Sequence, residues 1–287
     1  MLTITHDGIF HADEVTAEAE LLKWNKLSKI IIISEEEFIT SSEEERNNWI
    51  KSNNILYIIR TRNQEIISWG LKNPNVYMLD VGRVYDYPKL NFDHHQDNDS
   101  DASNLLIFEY LYNIGKLTDF IYLHFYSFME GISDFDINRD SIHDKWWEFN
   151  NKNKYRNLSN IISGFNRNPR NEKLQNEQFK KAVEFAIQIL ENEIITSNIK
   201  LDFEMIFMNR DYLPNRVVIL DEYCPNYIWE KYEDYAIMPQ KKGWYLIASN
   251  YRKKIIPEIN HKDLILKTSY IAVFKTKEAV IEIAKKF

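Results

Sequence analysis

Four short runs in the first eighty residues constrain the fold more than any other feature. Leu2 to Thr5, Lys29 to Ser34, Ile55 to Arg60 and Val76 to Asp80 are strand-sized, apolar and rich in β-branched residues. The segments between them carry helical patterning. In Asp13 to Trp24, the residues Val15, Ala19 and Leu22, with Ala17 and Leu21, form an apolar face, and Asp13-Glu14 complement the positive N-terminal end of the helix dipole. Glu35 to Asn48 is acidic and polar and reads as one exposed helix beginning near Ser41-Ser42, and Asn63 to Leu71 reads as a short helix. Strands that alternate with helices build a parallel sheet with right-handed crossovers. Such sheets bind ligands beyond the carboxyl ends of their strands.

The remainder is patterned differently. From Ser103 to about Asn209 the chain is mostly helical, with candidates at Leu105 to Tyr112, Leu117 to Met129 and, longest, Asn176 to Asn198. Asn150 to Asn157 is polar and reads as a surface loop. Beyond a boundary near Asn209 to Asn215, strands are expected at Val217 to Leu220, Tyr235 to Met238, Trp244 to Ser249 and Tyr270 to Phe274. A turn at Gln240 to Gly243 joins the middle pair, and Thr276 caps a final helix. The expected architecture is α/β: a Rossmann-like parallel sheet with helices and a helical connector over residues 1–209, then a smaller α/β domain over 210–287.

Composition narrows the function. A net charge of −7 disfavours a long duplex nucleic-acid footprint, which needs a basic face. It leaves room for a small phosphorylated substrate, because bound cations reverse the local charge. The single cysteine, Cys224, excludes an intrachain disulfide, fits a reducing compartment and reads as a buried thiol. No apolar run reaches bilayer length and no basic-then-apolar leader is visible, so the expectation is a cytoplasmic protein without a membrane partner.

The chemistry-bearing residues sit where the sheet would present them. His6, His11 and Asp13 follow the first run, Asp80 ends the fourth, and Asp93-His94-His95 lie just beyond. Singly, each is an ordinary polar residue at a strand end or in a loop. Together they suit a pair of divalent cations about 3.5–4 Å apart, held by shared carboxylates and imidazoles. Asp80 is suited to bridging, and His94 and His95 point apart if the chain is extended, so that one serves a metal and the other a substrate. Mixed oxygen and nitrogen ligands favour Mn2+ or Mg2+ over structural zinc. His124 and His143 are assigned to packing or surface roles, as is Trp146-Trp147 to core or interface. The basic run Tyr251-Arg252-Lys253-Lys254 offers Arg252 and Lys253 as phosphate contacts.

Three segments carry a resemblance: Thr5-His6-Asp7-Gly8-Ile9-Phe10-His11-Ala12-Asp13-Glu14, Asp80-Val81-Gly82-Arg83-Val84-Tyr85-Asp86 and Phe92-Asp93-His94-His95-Gln96. They resemble the leading motifs of the Myg family of metal-dependent hydrolases, named after a melanocyte proliferation gene product and similar to the DHH phosphoesterase superfamily. The resemblance implies a DHH-type catalytic domain with two Mn2+ or Mg2+ ions per chain and 3′–5′ exonuclease action on RNA or short oligonucleotides. It implies His6, His11, Asp13, Asp80 and His94 as metal ligands, His95 as the phosphate-facing residue and Asp93 as the carboxylate that orients the pair. The family's fourth motif, Asp-Ala-x-Asp-Asn-Gly, falls on Glu130 to Asp136 with Ser133 at the second Asp, so the last ligand is either Asp134, shifted by one, or absent. The Gly-rich, His-containing C-terminal loop of the family is matched by Lys267 to Lys277, which has neither. Two alternatives therefore stand beside the nuclease: a non-catalytic relative that binds a nucleotide or partner, and a small-molecule phosphoesterase or pyrophosphatase. Self-association into a homo-oligomer stays open.

Overall fold

The computed structural model describes residues 1–96, 100–137, 158–167, 169–209 and 216–286. His143, Trp146-Trp147, the Asn150 to Asn157 loop and most of the expected boundary stretch lie outside them. The chain divides into two compact units, Met1–Ile194 and Ile195–Phe287.

The first unit is the expected α/β body. Strands β1 (Leu2–Thr5), β2 (Lys29–Ile33), β3 (Ile55–Arg60) and β4 (Val76–Leu79) pair in parallel, and two short strands, β5 (Tyr85–Asp86) and β6 (Asn91–Phe92), extend the sheet to the order β2-β3-β1-β4-β6-β5. β6 runs parallel to β4, and β5 returns antiparallel to β6. Between the long strands come α1 (Ala12–Trp24), α2 (Glu35–Thr40), α3 (Glu43–Lys51) and α4 (Gln64–Lys72). The acidic stretch after β2 thus forms two helices where the sequence suggested one. The reason is local. Ser34 accepts from Glu37 N–H at 3.1 Å, and Ser42 accepts from Glu45 N–H at 3.2 Å while Glu45 bonds back to Ser42 N–H at 2.7 Å. Each serine starts a helix of its own.

Side chains alternate across the strands, so the sheet buries both faces. Leu2, Ile4, Val76 and Met78 pack with Phe38, Ile66 and Ile67 from α2 and α4. Leu56, Ile58, Tyr77, Leu79 and Phe92 face the other way, against α1, α5 (Ser103–Asn113) and α6 (Asp119–Asp136). Phe179, Val183, Ala186 and Leu190, at helical spacing on α8 (Glu172–Asn209), complete that layer after the short α7 (Leu158–Ser163). Helix α1 is buried from Ala12 through Leu22, including Asp13, Glu14, Glu18 and Glu20. Burying four carboxylates on one helix is costly unless each finds a partner or a proton. Glu18 accepts from the Thr3 hydroxyl at 2.7 Å, and burial raises its pKa to about 8.

The second unit is a five-stranded sheet in the order β10-β11-β9-β8-β7, made of β7 (Val217–Ile219), β8 (Tyr235–Gln240), β9 (Gly243–Ala248), β10 (Leu264–Lys267) and β11 (Ile271–Phe274). The strand at Leu264–Lys267 and the short helix α9 (Asn226–Trp229) were not legible in the sequence, because neither has a clean apolar period. The final helix α10 (Lys277–Ala284) begins where expected, with Thr276 accepting from Ala279 N–H at 3.2 Å. Cys224 is buried, and its burial raises the thiol pKa to about 11. Arg252 donates to Lys231 O at 2.5 Å and lies 3.8 Å from Asp234 Oδ1, so its guanidinium is engaged within this unit. No helix among the described residues is long and apolar enough to cross a membrane.

The β8–β9 hairpin depends on Gly243, whose φ is +140° and whose absent side chain leaves room for the Phe274 carbonyl oxygen. Gly243→Ala forces backbone against backbone at a dihedral that L-residues avoid. Its expected cost is about 1–3 kcal/mol, read as a lowered denaturation midpoint, with the spectroscopic signature of the first unit unchanged.

Candidate metal centre

The site is built by strand register. Thr5 pairs with Leu79, and Leu79 with Phe92, so the next residues of the three strands, His6, Asp80 and Asp93, leave the sheet side by side. Asp80 holds a left-handed φ of +53°. Its N–H is anchored to Phe92 O at 3.1 Å, and strained backbone of this kind clusters at working sites. The loop from β1 to α1 is locked from two sides. Arg60, buried at the end of β3, donates to Gly8 O at 2.9 Å and to Asn176 Oδ1 at 3.0 Å, and stands over the Phe179 ring at 4.5 Å. Asn166 donates to Phe10 O at 2.7 Å and accepts from Phe10 N–H at 3.0 Å.

Asp80 is the centre of the cluster. Its Oδ2 lies 3.1 Å from His6 Nε2, while its Oδ1 lies 3.2 Å from both His94 Nε2 and His95 Nδ1. His6 Nε2 also meets Glu14 Oε1 at 3.0 Å. Glu14 is in turn held by His11 N–H at 2.8 Å, where it closes the first turn of α1. His94 Nε2 is 3.3 Å from Asp136 Oδ2, and His11 Nδ1 is 3.8 Å from Asp136 Oδ1. His6 Nδ1 donates to Asp7 O at 2.9 Å, the arrangement that directs Nε2 at an ion. Asp93 serves a different purpose. Its Oδ1 takes His95 N–H at 2.9 Å and His95 Nδ1 at 2.7 Å, and its Oδ2 takes Arg83 N–H at 2.6 Å.

Three groups of donor atoms among the described residues converge closely enough to hold an ion: His6, His11, Glu14 and Asp80; Asp80, His94 and His95; and His11, Asp13 and Asp136. The donor chemistry fits hard divalent cations, being carboxylate and imidazole with no thiolate. A second observation agrees: both carboxylate oxygens of Asp13 and Glu14 Oε2 are buried with no donor on them. Orphaned buried oxygens are costly unless something positive satisfies them.

The electrostatics of the ion-free chain say the same. Burial and the neighbouring Asp80, Asp136 and Glu14 carboxylates push the Asp13 pKa well above 3.8. Burial opposes charge on His6, yet Glu14 and Asp80 outweigh it and raise the imidazole to about 11. Burial likewise opposes charge on His94, and Asp136 and Asp80 outweigh it to give about 10. Burial opposes charge on Asp80 as well, but His6 and His94 hold its pKa well below the usual carboxylate range.

His6, His11, Asp13, Asp80, His94, Asp93 and His95 are thus brought together. Asp134 is not in any of the three groups; Asp136 takes the place expected of it. Ser133, at the family's aspartate position, accepts from Ala102 N–H at 2.8 Å and so caps the start of α5. Asp136 continues the inward stripe of α6, one turn beyond Ile132 and Ser133, and that periodicity was the available signal. Glu14 was read as a dipole complement of α1; its adjacency to Asp13 in the same motif was the sign of a further role. Arg252 and Lys253 belong to the second unit.

A sequence profile described as "Uncharacterised protein family (UPF0160)" and labelled MYG1_exonuc matches residues 2–226, well over half of the chain. The chain belongs to the MYG1 family. The "MYG1 protein" of Chlamydia muridarum (strain MoPn / Nigg) is 30% identical over 190 residues, covering 65% of this chain and 51% of the relative. The "MYG1 protein" of Chlamydia pneumoniae is 29% identical over 190 residues, with the same coverage. The chain thus spans about half the length of these curated MYG1 relatives. No solved structure matches it significantly. The profile includes every residue of the cluster from His6 to Asp136.

Two outcomes follow from the geometry. The raised imidazoles favour the ion-free fold fully below their ordinary value of 6.5, and that contribution disappears as the pH climbs through about 10 to 11. Because the ligating imidazoles must be neutral, metal uptake at pH 7 releases protons and apparent affinity increases with pH. Calorimetric titration with Mn2+ in buffers of different ionisation enthalpy reads that release directly. Asp136→Asn is expected to weaken metal binding by about 10–100-fold, whereas Asp134→Asn has a smaller effect, as measured by metal content after equilibrium dialysis.

Proposed function

We propose that the chain is a divalent-metal-dependent phosphodiesterase that removes nucleotides from the 3′ end of RNA or short oligonucleotides. The observation that carries this reading is the position of Asp80, which offers one oxygen to the His6 and Glu14 side and the other to the His94 and His95 side. A carboxylate so placed is suited to bridge two ions. His6, Glu14 and Asp80 would hold one, and Asp13, His94, Asp136 and His11 the other, with Asp80 shared; Mn2+ and Mg2+ both suit such donors. When bound, the ions neutralise charge on the phosphoryl oxygens.

The protein's own groups do the rest. Asp93 holds His95 by Nδ1 and leaves Nε2 for a substrate oxygen, with a pKa raised mainly by that same Asp93 contact. His95 is half exposed, with 50% of its side-chain surface accessible, whereas Asp80 beneath it is buried. The imidazole can therefore reach a phosphate while the carboxylate stays out of water. A cavity of about 620 Å3 opens on this cluster, lined by His11, Asp80, His94, His95 and Asp136 together with Phe135 and Asn160.

The non-catalytic alternative rests on Ser133 and on the absence of glycine from Lys267 to Lys277. The approach of Asp136 to His94 supports turnover over that reading, since a fourth carboxylate is supplied by the same helix. Release of mononucleotides from a short single-stranded RNA in Mn2+ is the expected result, lost by at least about a hundredfold in Asp80→Asn. A purified, metal-loaded protein that cleaves neither oligonucleotides nor an activated phosphodiester rules the reading out. Faster hydrolysis of pyrophosphate than of a dinucleotide moves it to the small-molecule class.

A further inference from the structure

A second cavity, of about 550 Å3, opens on the other side of the same cluster and shares His11, Asp80 and His95 with the first. Its walls differ in kind. One wall is a single face of α4, with Gln64, Ile67, Ser68 and Leu71 at spacings of three and four residues. The lining also includes Val81, Gly82 and Arg83 of the β4–β5 loop, and Arg62. The first cavity has no lysine or arginine among its described lining residues. The two sides of the centre are therefore electrostatically unlike: one is neutral to acidic, the other carries two guanidiniums.

Arg83 is placed there at some cost. It adopts a left-handed φ of +56° next to Gly82 at +103°, a conformation that a non-glycine residue holds only when its surroundings enforce it. The enforcing contact is Arg83 N–H on Asp93 Oδ2 at 2.6 Å. The same carboxylate fixes His95 through its other oxygen. Asp93 thus sets the position of the phosphate-facing imidazole and of Arg83 together. The Arg83 side chain is exposed and makes no ion pair among the described residues, whereas Arg62 is held by Asp7 Oδ1 at 3.0 Å.

We propose that the cavity between α4 and the β4–β5 loop is a subsite for a second phosphate, recognised by Arg83 and Arg62, next to the one at the metal centre. This rests on the phosphodiesterase reading for the first phosphate. It specifies the substrate further: a short phosphodiester whose reacting phosphate is followed, one nucleoside away, by another anionic group. The partly buried apolar side chain of Leu71 supplies a surface for the intervening nucleoside. Guanidinium groups suit this task because they bond phosphate oxygens in pairs.

Two measurements test it. In the first, AMP and adenosine are titrated against the metal-free protein, and the Arg83 variant separates the guanidinium from the other cationic groups of the site. AMP is expected to bind and adenosine not to, with binding weakened by about tenfold to a hundredfold in Arg83→Gly. That variant removes the guanidinium and accepts the positive φ. Arg62→Gln should weaken binding less, Arg83→Lys should restore part of it, and Ser163→Ala, in the other cavity, should leave it in place. In the second, the Mn2+-loaded enzyme is given a dinucleotide with and without a 5′-phosphate. The wild type should prefer the phosphorylated one, and Arg83→Gly should lose that preference through KM. Equal AMP binding by wild type and Arg83→Gly, or no AMP binding by either, overturns the subsite. Loss of both dinucleotide activities in the wild type with AMP binding intact overturns the phosphodiesterase reading and leaves the anion subsite standing.

Discussion

The parallel register of β1, β4 and β6 is the constraint on which the site depends. Thr5, Leu79 and Phe92 lie in line across the three strands, so the residue after each emerges at one point on the rim of the sheet. A slip of one residue in either pairing would turn the buried set of that strand to the opposite face and carry its polar residue away. Burial of both sheet faces forbids that slip, because Leu2 and Ile4 pack on one side while Tyr77, Leu79 and Phe92 pack on the other. The hydrophobic pattern thus fixes the position of His6, Asp80 and Asp93 before any polar contact is made.

What the register brings together, electrostatics would push apart. Asp13, Glu14 and Asp80 are buried side by side, and Asp136 joins them at the edge of the cavity. Like charges at that spacing in a poor dielectric cannot all be ionised without compensation. Burial and the carboxylates around it raise the Asp13 pKa, while Glu14, Asp80 and Asp136 raise the His6 and His94 imidazoles against their own burial. Two divalent cations would provide positive charge at that place and also satisfy the orphaned oxygens of Asp13. The geometry therefore holds acidic groups together at a cost that ion binding offsets.

Much of this was legible along the chain. The four long strands of the first unit, the helices α1 and α4 and the ligand-bearing turns follow from apolar period and strand length, which act locally. The two-residue strands β5 and β6 were not, because a strand that short has no period and exists only through its pairing with β4 and with each other. The start of α3 near Ser41-Ser42 was legible, whereas the separate short helix α2 (Glu35–Thr40), started by Ser34, was not, for a related reason. A capping box is a contest between helix continuation and a side chain that satisfies backbone donors, and average polarity does not record it. The role of Arg60 in fixing the His6–His11 loop joins residues far apart in sequence, and no local signal points to it.

The fourth motif shows where spacing stops being informative and helix phase takes over. Asp134 and Asp136 are two residues apart, which on an α-helix places them about 200° from one another around the axis. Both are acidic and both lie near the expected position, so a shift by one along the sequence cannot choose between them. The choice is made by the apolar stripe of α6. Phe125, Met129 and Ile132 turn toward the core, and the same stripe extended by one turn arrives at Asp136, whose oxygens lie 3.3 Å from His94 and 3.8 Å from His11. Ser133, on that stripe too, is occupied in capping α5. Asp136 therefore brings a carboxylate to His94 and His11 with none at position 133, because a helix presents residues to one point in space once every turn.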